Sequence, residues 1–317
     1  MRILSKALLV VVLLYLTLAI AQPPEFAFYY VSHGGPRDPW WAPVIKGAQD
    51  AAKALGVKVV YLGPEKFSIR RLVRLLERAI RAEPDGIIVT ITNYSALDKP
   101  LRRAIAKGIP VIAVNVPDPR PEEERIPYIC YIGQDEYLAG RRLAERVLKE
   151  YTPKRAVVAI HEPGHVGLEA RYKGIVDALK PLGVPVDRLE ITTDLSKAMM
   201  ILKDYIRMHP DLDTVFTLGP LGAHAALKVV RDLGVAGRVK IATVDIDDEI
   251  IRAIKEGRIV AAVSQQPYMQ GFLPVVVMYL HVRYGYIPPD RILTGPTIVD
   301  KSNVDLIIKQ VRTTGGA

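Results

Sequence analysis

The residues of this chain best suited to chemistry fall directly after short apolar runs. They are Ser32 and His33, Asp38 with Trp40 and Trp41, Thr90 to Asn93 including Thr92, Asn115, His161 with Glu162, Thr217 with Gly219 just behind it, Asp245 and Gln265. Most of them offer hydrogen bonds without a fixed charge. Such a set suits a neutral polyhydroxylated molecule better than a phosphate or a carboxylate. The only two tryptophans of the chain are adjacent, at Trp40 and Trp41, in the run Asp38-Pro39-Trp40-Trp41. An indole face can take the C–H side of a sugar ring while the ring hydroxyls meet polar side chains. The same pair would serve equally as core anchors for the first helix, or divide the two roles, and the residues alone leave this open.

Other chemistries find less support. His161 and His165 are four residues apart, but Pro163 and Gly164 break any helix between them and no further His or Cys joins them, so no metal site is expected. Ser32-His33-Gly34-Gly35 resembles the glycine-rich loop of some esterases. Without a Gly-x-Ser-x-Gly elbow it is better taken as a turn that lets ligand and backbone approach closely. No dinucleotide fingerprint or phosphate-cradling loop follows any strand, which argues against an NAD enzyme or a nucleotide hydrolase. Asp135 and Glu136 are expected to start a helix rather than act as an acid/base pair. No catalytic residue and no cofactor are expected.

The elements that must position these groups alternate along almost the whole chain. Short apolar runs with strand character, such as Phe26 to Ser32, Gly86 to Thr92 and Lys240 to Asp245, are separated by helical stretches of three to five turns. That rhythm is the signature of βαβ units and parallel sheets. In open α/β sheets ligands bind beyond the carboxyl ends of the strands, which is where the polar residues fall. With 317 residues the chain is at the size where one core divides in two. The expected fold is therefore α/β, two doubly wound parallel-sheet lobes. The expected division is 1–21 as an export signal, 22–129 plus 266–293 as the first lobe, and 130–265 plus 294–317 as the second. Because no low-complexity linker separates the halves, the chain should cross between lobes more than once, near Cys130, Gln265 and Thr294.

Composition narrows the partners. The formal charge of +9 is spread over helix faces and interleaved with acids, as in Ile69 to Arg81 with Glu77, so it reads as a solvated surface and not a nucleic-acid site. Cys130 is the single cysteine and sits in the apolar run Ile126 to Ile132, the setting of a buried strand thiol. Scarce Asn beside plentiful Arg, Lys, Glu and Pro leans towards a thermophilic source. Arg2 and Lys6 precede the apolar stretch Ala7 to Ile20 and the small-x-small pattern at Ala19-Ile20-Ala21, which together predict an export signal. Processing near Lys6-Ala7 would instead leave the apolar segment on the mature chain. The protein is expected outside the cytoplasm, in the periplasm or on the outer cell surface.

From Asp38-Pro39-Trp40-Trp41 through Gly108-Ile109-Pro110-Val111, Val114-Asn115, Gly133-Gln134-Asp135 with Ala139-Gly140, Arg171-x-x-Gly174, His209 to Phe216, Val244-Asp245 and Ser264-Gln265-Gln266-Pro267, the chain resembles the periplasmic sugar-binding proteins of the ribose, galactose and xylose type. The resemblance implies a non-enzymatic, monomeric binding protein that closes about a hinge on a small sugar or polyol and presents it to the permease of an ABC importer. It implies contacts from Asp38 and one or both of Trp40 and Trp41 in the first lobe, from Asn115 at the end of the fourth strand, from Arg171 in the second lobe in preference to a merely structural ion pair, and from Asp245 and Gln265. The chain departs from that pattern at Asn115, where an acid is frequent, at Val116, where an Arg often follows, and at Gly219-Pro220, where Asn-Asp is common. These departures also leave a deoxysugar, a nucleoside or an autoinducer-like furanose within the implied ligand range, and a sensory subunit of a receptor complex as the alternative role.

Overall fold

The computed structural model describes residues 25–38 and 40–314, without the side chains of Thr313 and Thr314. The segment expected to direct export lies outside the described residues. The strands are numbered β1 to β12 in chain order. The first sheet holds β1 Ala27–Val31, β2 Lys58–Leu62, β3 Gly86–Val89, β4 Val111–Val114, β5 Cys130–Gln134 and β11 Arg291–Gly295, in the spatial order β11-β5-β4-β3-β1-β2. The second holds β6 Ala156–Ile160, β7 Val186–Glu190, β8 Thr214–Thr217, β9 Lys240–Val244, β10 Ile259–Ser264 and β12 Thr297–Val299, in the order β12-β10-β9-β8-β6-β7. Every neighbouring pair is parallel except β10 with β12. Central strands such as Gly86–Val89 and Ala156–Ile160 are buried along their full length. Helices cover both faces of a parallel sheet, so these strands are continuous apolar runs without alternation.

One boundary differs from the sequence expectation. The strand at 130–134, assigned to the second lobe, pairs in the first sheet, with Ile112 opposite Cys130 and Ile132 opposite Ile292. The Pro-rich stretch 117–127 is a return loop within the first lobe. Asp118 organises it: its carboxylate accepts the N–H groups of Arg120 and Ile126 and pairs with the Arg120 guanidinium. That loop lets β5 lie beside β4 without an intervening helix. The first crossing therefore follows β5, between Gln134 and Asp135. The other two crossings follow β10, at Gln265 and Gln266, and join β11 to β12 through Pro296. Cys130 is buried in β5, and burial pushes its thiol up to about 11.

Each lobe places one helix pair at very close range. In the first, Trp41–Leu55 packs on Pro267–Tyr284, and a Cβ at Gly271 would lie 1.9 Å from the Val44 carbonyl oxygen. In the second, Glu136–Leu148 packs on Val166–Leu179, and a Cβ at Gly140 would lie 1.9 Å from the Arg171 carbonyl oxygen. Glycine serves here for the absence of a side chain, since only bare backbone admits such an approach. In the second lobe the contact sets Arg171 directly beside Glu136.

Candidate functional site

The carboxyl ends of the two sheets face each other across the crossings, and the polar groups converge there. Asn115 and Asp245 end β4 and β9 at φ +64° and +69°, a left-handed conformation that short polar side chains tolerate best. Asn115 Nδ2 donates to Oε1 of Gln265 at 3.2 Å and to Oε1 of Gln270 at 3.0 Å. Gln265 Nε2 donates to Asp245 Oδ1 at 2.6 Å. The Gln265 carbonyl in turn accepts Gln270 Nε2 at 3.0 Å and the Thr294 hydroxyl at 2.8 Å. A hinge glutamine thus joins a first-lobe amide to a second-lobe carboxylate. Burial pushes the Asp245 carboxyl up to about 6, opposed by Arg171, Gln265 and the indole N–H of Trp40.

The two tryptophans divide their roles. Their rings meet edge-on, with centroids 4.7 Å apart. Trp41 is the deeper, set against His33 at 4.9 Å and over Gly34, where a Cβ would lie 1.8 Å from its Nε1. It anchors the first helix. Trp40 instead reaches across to Asp245. Ser32 lies behind them, fully buried, its hydroxyl tied to the Gly34 carbonyl and to the Tyr61 hydroxyl at 2.6 Å. Asp38 sits on the exposed turn and accepts the Trp40 N–H at 3.0 Å, so the local job of its carboxylate is to hold that turn. Ser32 and Asp38 are therefore set apart from the polar network that bridges the lobes.

Arg171 was expected to point its donors at a ligand. Its Nε and Nη2 donate instead to the two carboxylate oxygens of Glu136, and Nη1 donates to the Leu218 carbonyl at 2.9 Å. Both side chains are buried. Gln134 Nε2 also donates to Glu136, at 2.8 Å. A guanidinium carries five N–H groups, so two remain beyond these three bonds. Glu136, expected only to start a helix, is the partner that holds Arg171 in place. The one sequence trace of this is that Glu136 and Arg171 each stand near a glycine, Gly140 and Gly174, at which their helices touch.

A second cluster gathers His33, His161, His165 and Glu162. The His33 and His165 rings meet edge-on at 4.9 Å although they come from different lobes, and the Val166 N–H donates to the Thr92 carbonyl at 3.4 Å beside them. Burial, then the charge of Arg171, lowers His161 to about 4 and His33 to about 3, so both rings are neutral at physiological pH. Burial raises Glu162 to about 8, with Asp38 adding repulsion. Donor atoms of His33, Glu162 and His165 lie within 4.8 Å of one another, a grouping that could hold a metal ion and is not the His161 and His165 pair weighed from the sequence. Nδ1 of His165, however, accepts the N–H groups of Gly167 and Leu168 and caps their helix. That leaves the ring hydrogen on Nε2, where it blocks metal ligation through that atom. As built, the cluster is a set of neutral hydrogen-bonding groups. Gly219 lies next to His161 at the end of the adjacent strand. Sequence reasoning singled out His33, Glu162 and Thr90 only by their place after a strand, and it missed His165 as a cap and Gln270 as a bridging amide.

The model of the family described as periplasmic binding protein domain matches residues 28–285. The xylose/arabinose-binding protein of Sulfolobus acidocaldarius is 26% identical over 310 residues, covering 94% of this chain and 77% of that protein. The ribose import binding protein of Bacillus subtilis is 24% identical over 238 residues, covering 74% of this chain and 75% of that protein. A solved carbohydrate transporter from Acidothermus cellulolyticus, in complex with myo-inositol, superposes with a TM-score of 0.84 at 30% identity, covering 92% of this chain and 99% of that one.

Proposed function

Because this chain belongs to the periplasmic binding protein family, a non-enzymatic family of substrate-binding proteins, we propose that it captures a neutral monosaccharide between its lobes and delivers it to the permease of an ABC importer. The observation that carries this reading is the bridge from Asn115 through Gln265 to Asp245, with Trp40 beside it. Two amides and one carboxylate there can donate to and accept from adjacent hydroxyls, while an indole supplies an apolar wall. The relatives named for xylose, arabinose and ribose support a sugar of this size, and family membership supports work outside the cytoplasm.

In the proposed cycle the lobes part about the three crossings at 134–135, 265–266 and 295–296. A sugar enters on Trp40 and Asn115, and closure brings Asp245, Gln265 and the two remaining N–H groups of Arg171 onto its hydroxyls. The ligand replaces hydrogen bonds that otherwise run between the lobes, so closing with it costs few unpaired polar groups. The closed shape is the form offered to the permease. A thermal-shift screen against pentoses, hexoses, polyols and nucleosides, repeated with Asp245→Ala, tests the reading. A sugar-specific rise in Tm that Asp245→Ala abolishes is expected, since a ligand of the folded state stabilises it by mass action. No rise with any sugar would refute it.

A further inference from the structure

In the first lobe every strand is parallel to its neighbours, so the amino ends of the strands and the carboxyl ends of the helices gather on one base, opposite the cleft. The helix Pro267–Tyr284 ends on this base, and the chain there exposes three large side chains within four positions: Tyr284 at 67%, Tyr286 at 51% and Ile287 at 84%. This tip is built and not frayed. Gly285, at φ +67°, donates its N–H to the His281 carbonyl at 2.9 Å, the Tyr286 N–H donates to the Leu280 carbonyl at 3.3 Å, and His281 Nδ1 donates to the Tyr286 carbonyl at 2.9 Å. Pro288 behind it is buried. Exposed hydrophobics of the second lobe, such as Leu182 and Leu306, stand singly. An ordered apolar tip that its own lobe leaves uncovered marks a contact with something else.

Three observations name the kind of partner. Two of the exposed side chains are tyrosines, whose apolar body and polar end suit the boundary between hydrocarbon and water. The charge around them is basic. Lys53 in the last turn of the helix Trp41–Leu55, Lys58 at the start of β2 and Arg81 at the end of the helix Ile69–Arg81 stand on the same base and make no ion pair among the described residues. The acids there are committed, Glu25 to Arg283, Glu83 to Lys107, Asp290 to Arg125 and Asp85 to the Ala27 N–H. Third, the tip is joined to the point where residues 1–24 lead into the lobe. Phe26 meets Tyr279 edge-on at 6.2 Å, and Tyr279 meets Tyr284 edge-on at 6.1 Å. The Lys58 N–H donates to the Phe26 carbonyl at 2.8 Å, which sets that lysine at the same entry. The apolar run Ala7 to Ile20 ends shortly before Glu25 in the chain. A bilayer with anionic headgroups offers an apolar layer to Ile287 and the tyrosine rings and negative charge to the lysines, in one surface. An acidic soluble partner would satisfy the lysines but not the isoleucine.

We propose that the base of the first lobe is a seat for an anionic lipid surface, with Tyr284, Tyr286 and Ile287 entering the headgroup layer and Lys53, Lys58 and Arg81 facing its negative charge. This does not rest on the sugar reading of the cleft, which lies at the other end of the lobe and stays clear of the bilayer. The single cysteine, Cys130, is buried, so an environment-sensitive fluorophore can be placed selectively on Ile287→Cys and, for comparison, on Met208→Cys, an exposed site of the second lobe. The labelled full chain is mixed with vesicles of phosphatidylcholine, with or without about one-third phosphatidylglycerol, that carry a quencher on the headgroup. On the anionic vesicles the label at 287 should shift to the blue and be quenched at least about 3-fold more than the label at 208. The response should fall with added salt, and Lys53→Glu combined with Lys58→Glu should bring it down to the level at 208. Equal quenching at the two positions, or an equal response with and without phosphatidylglycerol, overturns the inference. A blue shift at 287 that grows with protein concentration in the absence of vesicles also overturns it, since the occupant is then a second copy of this chain.

Discussion

Asn115 and Asp245 occupy the same address in the two lobes, each in a left-handed turn beyond a central strand and each donating its N–H to the next strand, to Ile132 and Val263 respectively. Their surroundings differ. The first lobe sets Asn115 against the neutral amide of Gln270 and carries the rings of Trp40, Trp41 and His33. The second lobe sets a buried ion pair, Arg171 with Glu136, behind Asp245. Equal topology has produced equal positions, but the chemistry at them is unequal. Under the proposed function, a ligand settling on the first lobe would meet apolar area and adaptable donors, and the second lobe would add charge-assisted bonds of fixed direction on closure.

The largest effect expected from this contrast lies in the ion pair. Glu136→Ala leaves Arg171 charged and unpaired in the interior, and unfolding by denaturant should show a loss of about 3–5 kcal/mol. Trimming Ser32 to Ala, which removes a hydroxyl bonded only within the first lobe, should cost about 1 kcal/mol and leave sugar affinity unchanged. If Glu136→Ala costs no more than Ser32→Ala, the second lobe does not depend on its buried charges as described.

The helix contacts sharpen the comparison next. Gly271→Ala and Gly140→Ala each insert a Cβ within 1.9 Å of a carbonyl oxygen, and overpacking of this kind destabilises by about 1–3 kcal/mol. Gly140→Ala moves the backbone of Arg171 itself, whereas Gly271→Ala disturbs the bridge only through the neighbouring Gln270, so Gly140→Ala should weaken sugar binding the more of the two. Equal losses of affinity in the two variants would contradict the division of labour. Within the bridge, Asp245→Ala should reduce affinity by about 10- to 100-fold and Asn115→Ala by about 5- to 10-fold, because bonds to an ionised acceptor are the stronger. Titration with the best ligand decides the order.

A further difference is in pH. Glu162 rises from 4.5 to about 8 and Asp245 from 3.8 to about 6 in the folded form. The folded form therefore holds protons that the unfolded chain releases, and this contribution to stability is present below about pH 4 and is lost as pH rises towards 8. His33 and His161 fall from 6.5 to about 3 and about 4, which gives the opposite sign: their contribution is present above about 6.5 and is lost as pH falls through 4 and 3. Tm measured against pH should peak between these limbs. Glu162→Gln should flatten the alkaline limb alone, and an unchanged alkaline slope would show that Glu162 carries no such burden.

Local pattern was enough to place Asn115, Asp245 and Gln265 just beyond their strands, since apolar runs mark strands and the first polar residue after each marks its carboxyl end. It was enough for the αβ rhythm of both lobes and for a multiple crossing at Gln265. It failed where two distant segments decide a role together. For Arg171 it could not name the partner, because Glu136, thirty-five positions earlier, reaches it only when Gly140 lets two helices touch. The strand at 130–134 looked like the start of the second lobe because its place in the sheet depends on which strands lie beside it, and nothing in its own residues says so.

By itself, then, the order of residues determined which segments are strands and helices and which side chains stand at their ends, because those follow from periodicity and from short-range backbone preference. Tertiary structure alone decided which of those ends face each other, which of the two tryptophans meets the cleft, and that Gly219 makes room for His161. These outcomes depend on contacts between segments far apart in the chain, where close packing and the cost of unpaired buried groups select one arrangement from many.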